Sequence, residues 1–282
     1  MQQPRIGGHV STAGGLWRAL ENAEAIGAET IQIFGSSPQT WAARMPDAET
    51  VRHFHAEQKR TGVGPVFLHA AYLVNAASPD PLVFENSKRS LIGHLRIAHA
   101  IGAQGLIFHP GSTKGESKQE ALEREANAMR DILKSVPGKT QLVMENTAGG
   151  GNKLGDFDDL AFLFHAARSS RVKVCFDTAH AFEAGFVSAY SSEEVRALAA
   201  KMDAAFGIEN LIAIHANDSK TLQGSHHDQH DNIGEGHIGM DGFRALAREK
   251  KLWKAAWLLE VPGFSGAGTD AKNIERLKSC FV

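Results

Sequence analysis

Eight short apolar runs recur along this chain: "RIGGHV", "TIQIF", "PVFLH", "GLIFH", "QLVME", "VKVCFD", "LIAIH" and "AWLLE". Longer segments with helical spacing separate them. Among these are "GGLWRALENAEAIGA", "PLVFENSKRSLIGHLRIAHAIGA", "SKQEALEREANAMRDILKSV" and "FDDLAFLFHAARSS", several entered from Ser, Asp or Pro and left at Gly. A strand followed by a crossover helix, repeated eight times in 282 residues, fits an α/β (β/α)8 TIM barrel better than a doubly wound sheet. No composition shift, charge block or Pro/Ser-rich linker divides the chain. Residues 1–282 therefore read as one barrel domain.

Six of the runs finish in a side chain able to bind a metal: His69, His109, Glu145, Asp177, His215 and Glu260. In a barrel the carboxyl ends of the strands converge on one mouth, where the active sites of this fold lie. Six polar groups meeting there are costly to desolvate unless something pairs with them, and a divalent metal does so. Three imidazoles and three carboxylates suit zinc, with manganese or iron as the other fits. A closed structural zinc site would call for more sulfur.

Two further groups extend the donor set. In "CFDTAHAFEAG", His180 follows Asp177 by three residues in the loop expected beyond the strand. In the glycine-flanked stretch "GSHHDQHDNIGEG", Asp228 stands two residues before His230. Nine candidate ligands exceed what one tetrahedral ion, or two sharing a carboxylate, would use. Three metals with one bridging carboxylate are expected.

The other histidines carry weaker signals. His53, His55, His94, His99 and His165 fall within helical segments and read as surface or core positions. His226, His227 and His237 lie in loops near the expected mouth, where they either touch substrate or are solvated. His9 ends the first strand and is placed to support a ligand from behind. Cys175 reads as a small buried hydrophobe.

A cluster of three metals held by His and carboxylate suits phosphodiester hydrolysis, in which ions activate water and neutralise charge on the phosphoryl group and leaving oxygen. A metal-dependent sugar isomerase on the same barrel is the runner-up. Such enzymes pair fewer ions with a catalytic Lys or His, and no strand here ends in lysine.

The residues also resemble a known family, the endonuclease IV family of apurinic/apyrimidinic endonucleases. The likeness runs from "GGHVSTAGG" through "FLHAAYLVN", "FHPGS", "MENTAGGG", "CFDTAHAFEAG", "IHANDSK" and "DQHDNIGEGHIG" to "LLEVPG". It implies a TIM barrel with three zinc ions. His69, His109 and Glu145 would bind the first; Glu145, Asp177, His215 and Glu260 the second; His180, Asp228 and His230 the third. The implied reaction is hydrolysis 5′ to an abasic site in double-stranded DNA by a metal-bound hydroxide, leaving a 3′-hydroxyl and a 5′-deoxyribose phosphate. Glu145 and Glu260 would also position and tune the nucleophile.

The resemblance also implies flipping of the abasic nucleotide and insertion of side chains into the base stack, with Tyr72 and Leu73 at the matching positions. Lys220 is a further expected DNA contact. Two positions depart from the family's pattern. Gln39 and Gln229 stand where arginines are common. DNA binding is therefore expected to be weaker, or less steeply salt-dependent, unless Lys153, Lys220, His226 or His227 supplies the missing charge. Binding by Gln39→Arg and Gln229→Arg variants over a salt series decides between these; an unchanged affinity and slope overturns the expectation.

Bulk properties add little. A net charge of -2 neither suggests nor excludes a local DNA-binding face. The two cysteines form neither a disulfide framework nor a CxxC site, which points to a reducing cytoplasm. No signal peptide or membrane span is read, and no exposed heptad argues against a monomer.

Overall fold

Seven strands alternate with helices from the amino end of the chain: β1 (Ile6–His9), β2 (Ile31–Phe34), β3 (Val66–His69), β4 (Gly105–Phe108), β5 (Gln141–Glu145), β6 (Val172–Asp177) and β7 (Leu211–His215). A small hairpin, β8 (Asp218–Ser219) and β9 (His230–Asp231), precedes the last barrel strand, β10 (Ala256–Leu259). The structure, a computed structural model, describes residues 3–281. Strands β1 to β7 pair in parallel with their sequence neighbours, and β10 closes the barrel between β7 and β1. The expected TIM barrel is thus observed, and the eight sequence runs supply its eight strands.

The helices start where the sequence offers a cap. α2 (Ala48–Thr61), α3 (Pro81–Ala100), α4 (Lys118–Ser135) and α5 (Phe157–Ala166) begin after Asp47, Asp80, Ser117 and Asp156, whose side chains accept backbone N–H groups of the first turn. α1 (Arg18–Ala25) is shorter than its apolar spacing suggested. Gly14 and Gly15, with φ of 86° and 137°, hold the entry out of helical geometry. α6 (Thr178–Glu183) follows β6 without a loop, and α7 (Ser192–Phe206), α8 (Gly239–Arg248) and α9 (Ala271–Lys278) complete the ring.

Alternation along the strands divides the core in two. Leu68, Leu106, Leu142, Met144, Phe176, Ile214 and Trp257 face outward and join the layer between barrel and helices. Phe67, Ile107, Val143, Cys175, Ala213 and Leu258 fill the barrel interior as a separate apolar plug. Two residues after each of these six stands a candidate ligand: His69, His109, Glu145, Asp177, His215 and Glu260. The period of two that packs the plug therefore aims all six into the mouth above it.

Candidate metal centre

At the mouth these six side chains meet. Nε2 of His69 and Nε2 of His109 each lie 3.2 Å from Oε2 of Glu145. Nδ1 of His215 lies 2.8 Å from Oε1 of Glu145, 3.1 Å from Oε2 of Glu260 and 3.8 Å from Oδ2 of Asp177. Glu145 is thus shared by His69–His109–Glu145 and Glu145–Asp177–His215–Glu260, and also stands with Cys175 and His215, while Asp177, His180 and His230 form a further set close enough to hold one ion.

Hydrogen bonds on the far side of the rings of His69, His180, His215 and His230 decide which nitrogen faces the mouth. Nδ1 of His69 donates to the Ala70 carbonyl at 2.8 Å, and Nδ1 of His180 to the Asn146 carbonyl at 2.8 Å. Nδ1 of His230 reaches the Glu260 carbonyl at 3.2 Å. In these three the Nε2 lone pair is left for a ligand. His215 is reversed: Nε2 donates to Oε1 of Gln32 at 2.7 Å, turning Nδ1 toward the Glu145 and Glu260 carboxylates. Orientation of this kind by outer partners is what a metal-binding histidine requires.

His180 is placed by helix α6 and not by a loop. Asp177 ends β6 and also caps α6, its side chain accepting the His180 N–H at 2.8 Å, so the helix starts at once and turns the imidazole back over the mouth. The "DQH" stretch arrives from the other side. His230 lies in β9, which pairs antiparallel with β8, and Asp228 lies in the irregular segment just before it. The glycine-flanked segment therefore contains a short strand as well as loop. Oδ1 of Asp228 stands 3.3 Å from Nε2 of His180 and 3.4 Å from Nε2 of His230. Both nitrogens are buried and neither makes a hydrogen bond. Two orphaned lone pairs facing one carboxylate oxygen fit a cation between them.

The electrostatics agree with that donor set. Burial opposes ionisation of Glu145, yet His215 and His109 outweigh it and hold the carboxyl well below the usual carboxylate range. Glu260 is likewise held low, against its burial, chiefly by His215. Burial should depress His180, but Asp177, Asp228 and Glu145 hold it well above the ordinary imidazole value. The carboxylates thus need cationic partners, a part that metal ions take as they displace protons from imidazole. Burial pushes the Cys175 thiol up to about 12, in keeping with its place in the apolar plug.

Several supporting residues escaped the sequence reading. Gln32 joins His215 to the Glu260 carboxylate, and its Nε2 lies 3.1 Å from Nδ1 of His9. Asn146 accepts the Asp177 N–H at 2.7 Å, and Asn217 donates to Oδ2 of Asp177 at 2.7 Å while accepting the Glu260 N–H at 2.7 Å. Their signal was present as one polar residue inside "TIQIF" and an asparagine just past "VME" and "IHA". Each needed the barrel to close before its partner was apparent.

Of the expected DNA contacts, Tyr72 is 66% and Leu73 42% exposed, on the turn after β3. Gln39, Lys220 and Gln229 are exposed, and among the described residues Gln229 is anchored only through its backbone, to Glu183 and Lys220. The five helical histidines lie in α2, α3 and α5, away from the donor groups. His226, His227 and His237 are all exposed, and His226 also reaches the Ala148 carbonyl at 3.0 Å.

Fold and donor set together define a TIM-barrel protein suited to divalent metal ions. The family described as a xylose isomerase-like TIM barrel matches residues 20–280. The chain is 37% identical to the probable endonuclease 4 of Solibacter usitatus, over 98% of this chain and 96% of that one. It is 34% identical to the probable endonuclease 4 of Chloroflexus aggregans, over 98% and 97%. Endonuclease IV from Thermus thermophilus superposes with a TM-score of 0.86 at 32% identity, over 98% of each chain. A D-tagatose 3-epimerase-like protein, with a TM-score of 0.73 at 19% identity over 98% of this chain and 96% of that one, shares the fold alone. The chain belongs to the endonuclease IV family and is a nuclease of the hydrolase class.

Proposed function

We propose that this protein is a DNA-repair endonuclease that hydrolyses the phosphodiester 5′ to an abasic site in duplex DNA, leaving a 3′-hydroxyl and a 5′-deoxyribose phosphate. The observation that carries this reading is the third donor group. Beyond the groups sharing Glu145, the unpartnered Nε2 atoms of His180 and His230 face Asp228. A sugar isomerase has no use for it.

His69, His109 and Glu145 would hold one ion, Glu145, Asp177, His215 and Glu260 a second, and His180, Asp228 and His230 a third. Zinc is the best match to these donors, with manganese or iron at one or more positions the alternative. Bound there, the ions would supply Lewis acidity toward phosphoryl oxygens and lower the pKa of water. Glu145 and Glu260, both beside Nδ1 of His215, would position and tune the attacking nucleophile as well as hold metal. Tyr72 and Leu73 offer an exposed apolar wedge for unstacked bases, with Gln39, Lys220 and Gln229 as polar contacts to DNA. Flipping costs least where a base is already missing. Among the described residues no helix is long and apolar enough to cross a membrane. Action as a monomer in the cytoplasm, at the nucleoid if the source is bacterial, fits this reading.

Incubation with a duplex carrying one abasic analogue tests it. A nick 5′ to the lesion, abolished by chelator and restored by zinc, together with about three zinc ions per chain, is expected. No chelator-sensitive nick overturns the reading.

A further inference from the structure

The metal pocket does not end at the metal ligands. Its cavity, of about 470 Å³, opens into a second of about 380 Å³, with which it shares Tyr72, His109, His180 and Asp228. The second shares Thr147 and Lys153 with a third of about 440 Å³, bordered by the loop Gly149–Gly151. A small sugar or a single phosphate would occupy one such cavity. Three in a row suit a polymer lying across the mouth.

Charge along this row is uneven. In the third cavity Lys118 is paired with Asp156 and Asp159, both at 2.8 Å, and Glu116 with Arg124 at 2.6 Å. Lys114 and Lys153 line the middle cavity and are exposed. Among the described residues no ion pair or hydrogen bond is formed by either ammonium group. They are therefore available to a polyanion. Of the two lysines singled out from the sequence, Lys153 lines two of the cavities and Lys220 borders none of the three.

The two lysines also stand on a preorganised platform. The loops after β4 and β5 are joined by an antiparallel bridge between Ser112 and Lys153. Backbone bonds from Thr113 N to Asn152 O, at 2.8 Å, and from Leu154 N to Gly111 O, at 3.0 Å, reinforce it. Asn75 clamps Ser112 from below, accepting its N–H at 3.0 Å and donating to its carbonyl at 3.1 Å. Ordering cost on binding is thereby reduced to the lysine side chains themselves.

We infer that this row of cavities is a track for the DNA strand flanking the scissile phosphate, and that Lys114 and Lys153 are its phosphate contacts. The inference rests on the endonuclease reading above. It assigns to these lysines the electrostatic attraction that Gln39 and Gln229 do not provide.

Binding of an abasic duplex measured from about 50 to 200 mM salt tests it, using Lys114→Ala/Lys153→Ala and Lys114→Glu/Lys153→Glu proteins whose metal content and Tm match the parent. The alanine pair is expected to weaken binding about tenfold at the lowest salt and to reduce the slope of log affinity against log salt by close to 1.8, about 0.9 for each lost phosphate contact. The glutamate pair is expected to weaken binding further. If the parent nicks the duplex but both double variants keep its slope, the track is overturned and the endonuclease reading stands. If the parent neither binds nor nicks, both fall.

Discussion

Glu125 is a carboxylate with no evident part in the chemistry. It is fully buried on α4, and neither side-chain oxygen has a hydrogen-bond partner, the nearby Gly111 amide offsetting little of the cost. Burial pushes its pKa up to about 8, with the charge of Asp159 adding to the effect. An unfolded glutamate titrates near about 4.3, so between these values the folded chain binds the extra proton and stability falls as pH rises. Glu125→Gln removes that dependence. The variant is expected to match the parent near pH 4 and to exceed it by several kcal/mol at pH 8.5, read by denaturant unfolding at both pH values. Parallel stability profiles would show that Glu125 is not the source. Gln32 is the opposite case, a buried polar residue with every partner in place: His215, Glu260 and His9 all meet its amide.

The element that completes the third donor group is the segment from β8 to the start of α8, and two buried carboxylates hold it. Asp218 accepts the N–H groups of Ser219, Gly234, Gly236, Ile238 and Gly239. Glu183, at the end of α6, accepts the Ser219 hydroxyl at 2.7 Å and the Gln229 N–H at 3.2 Å. Gln229 lies between Asp228 and His230, so Glu183 ties α6, which carries His180, to the segment carrying the other two donors. On the proposed three-ion reading, Glu183→Ala is expected to lose the ion held by His180, Asp228 and His230 during dialysis against a weak chelator, with the others retained. Glu183→Gln, which keeps an acceptor oxygen, is expected to hold all three. Equal metal content in parent and alanine variant would remove this role from Glu183. None of it was apparent from spacing: "DQH" read as loop because two-residue strands carry no periodicity, and α6 was hidden because its cap is also a strand end.

Across the whole molecule, a barrel mouth holding Glu145, Asp177, Asp228 and Glu260 together with buried imidazoles is destabilising until cations fill it. Ions that bind only the folded chain stabilise it by mass action, about 4 kcal/mol for a site at a thousandfold excess over its Kd. Metal removal is therefore expected to lower Tm by about 10 °C or more, reversed by zinc and read by calorimetry. A Tm indifferent to chelator would mean that the mouth is stable without ions.

Local spacing was enough to specify the eight strands and the six ligands at their ends. Both follow from a period of two that needs no distant partner: an inward apolar residue predicts an inward neighbour two positions on, whatever the rest of the chain does. The "DxH" and "DxxH" donors were visible in the same way, as short-range spacing. Tertiary packing, by contrast, turned the rings of His180, His215 and His230, brought Gln32 to His215 from 183 residues away, and joined the loops after β4 and β5 that carry the two lysines. Gln32 meets His215 only once β10 closes the barrel between β7 and β1. The turning of a ring by a distant carbonyl or amide, and a lysine's freedom from partners, depend on neighbours brought together by the fold, and no local pattern encodes them.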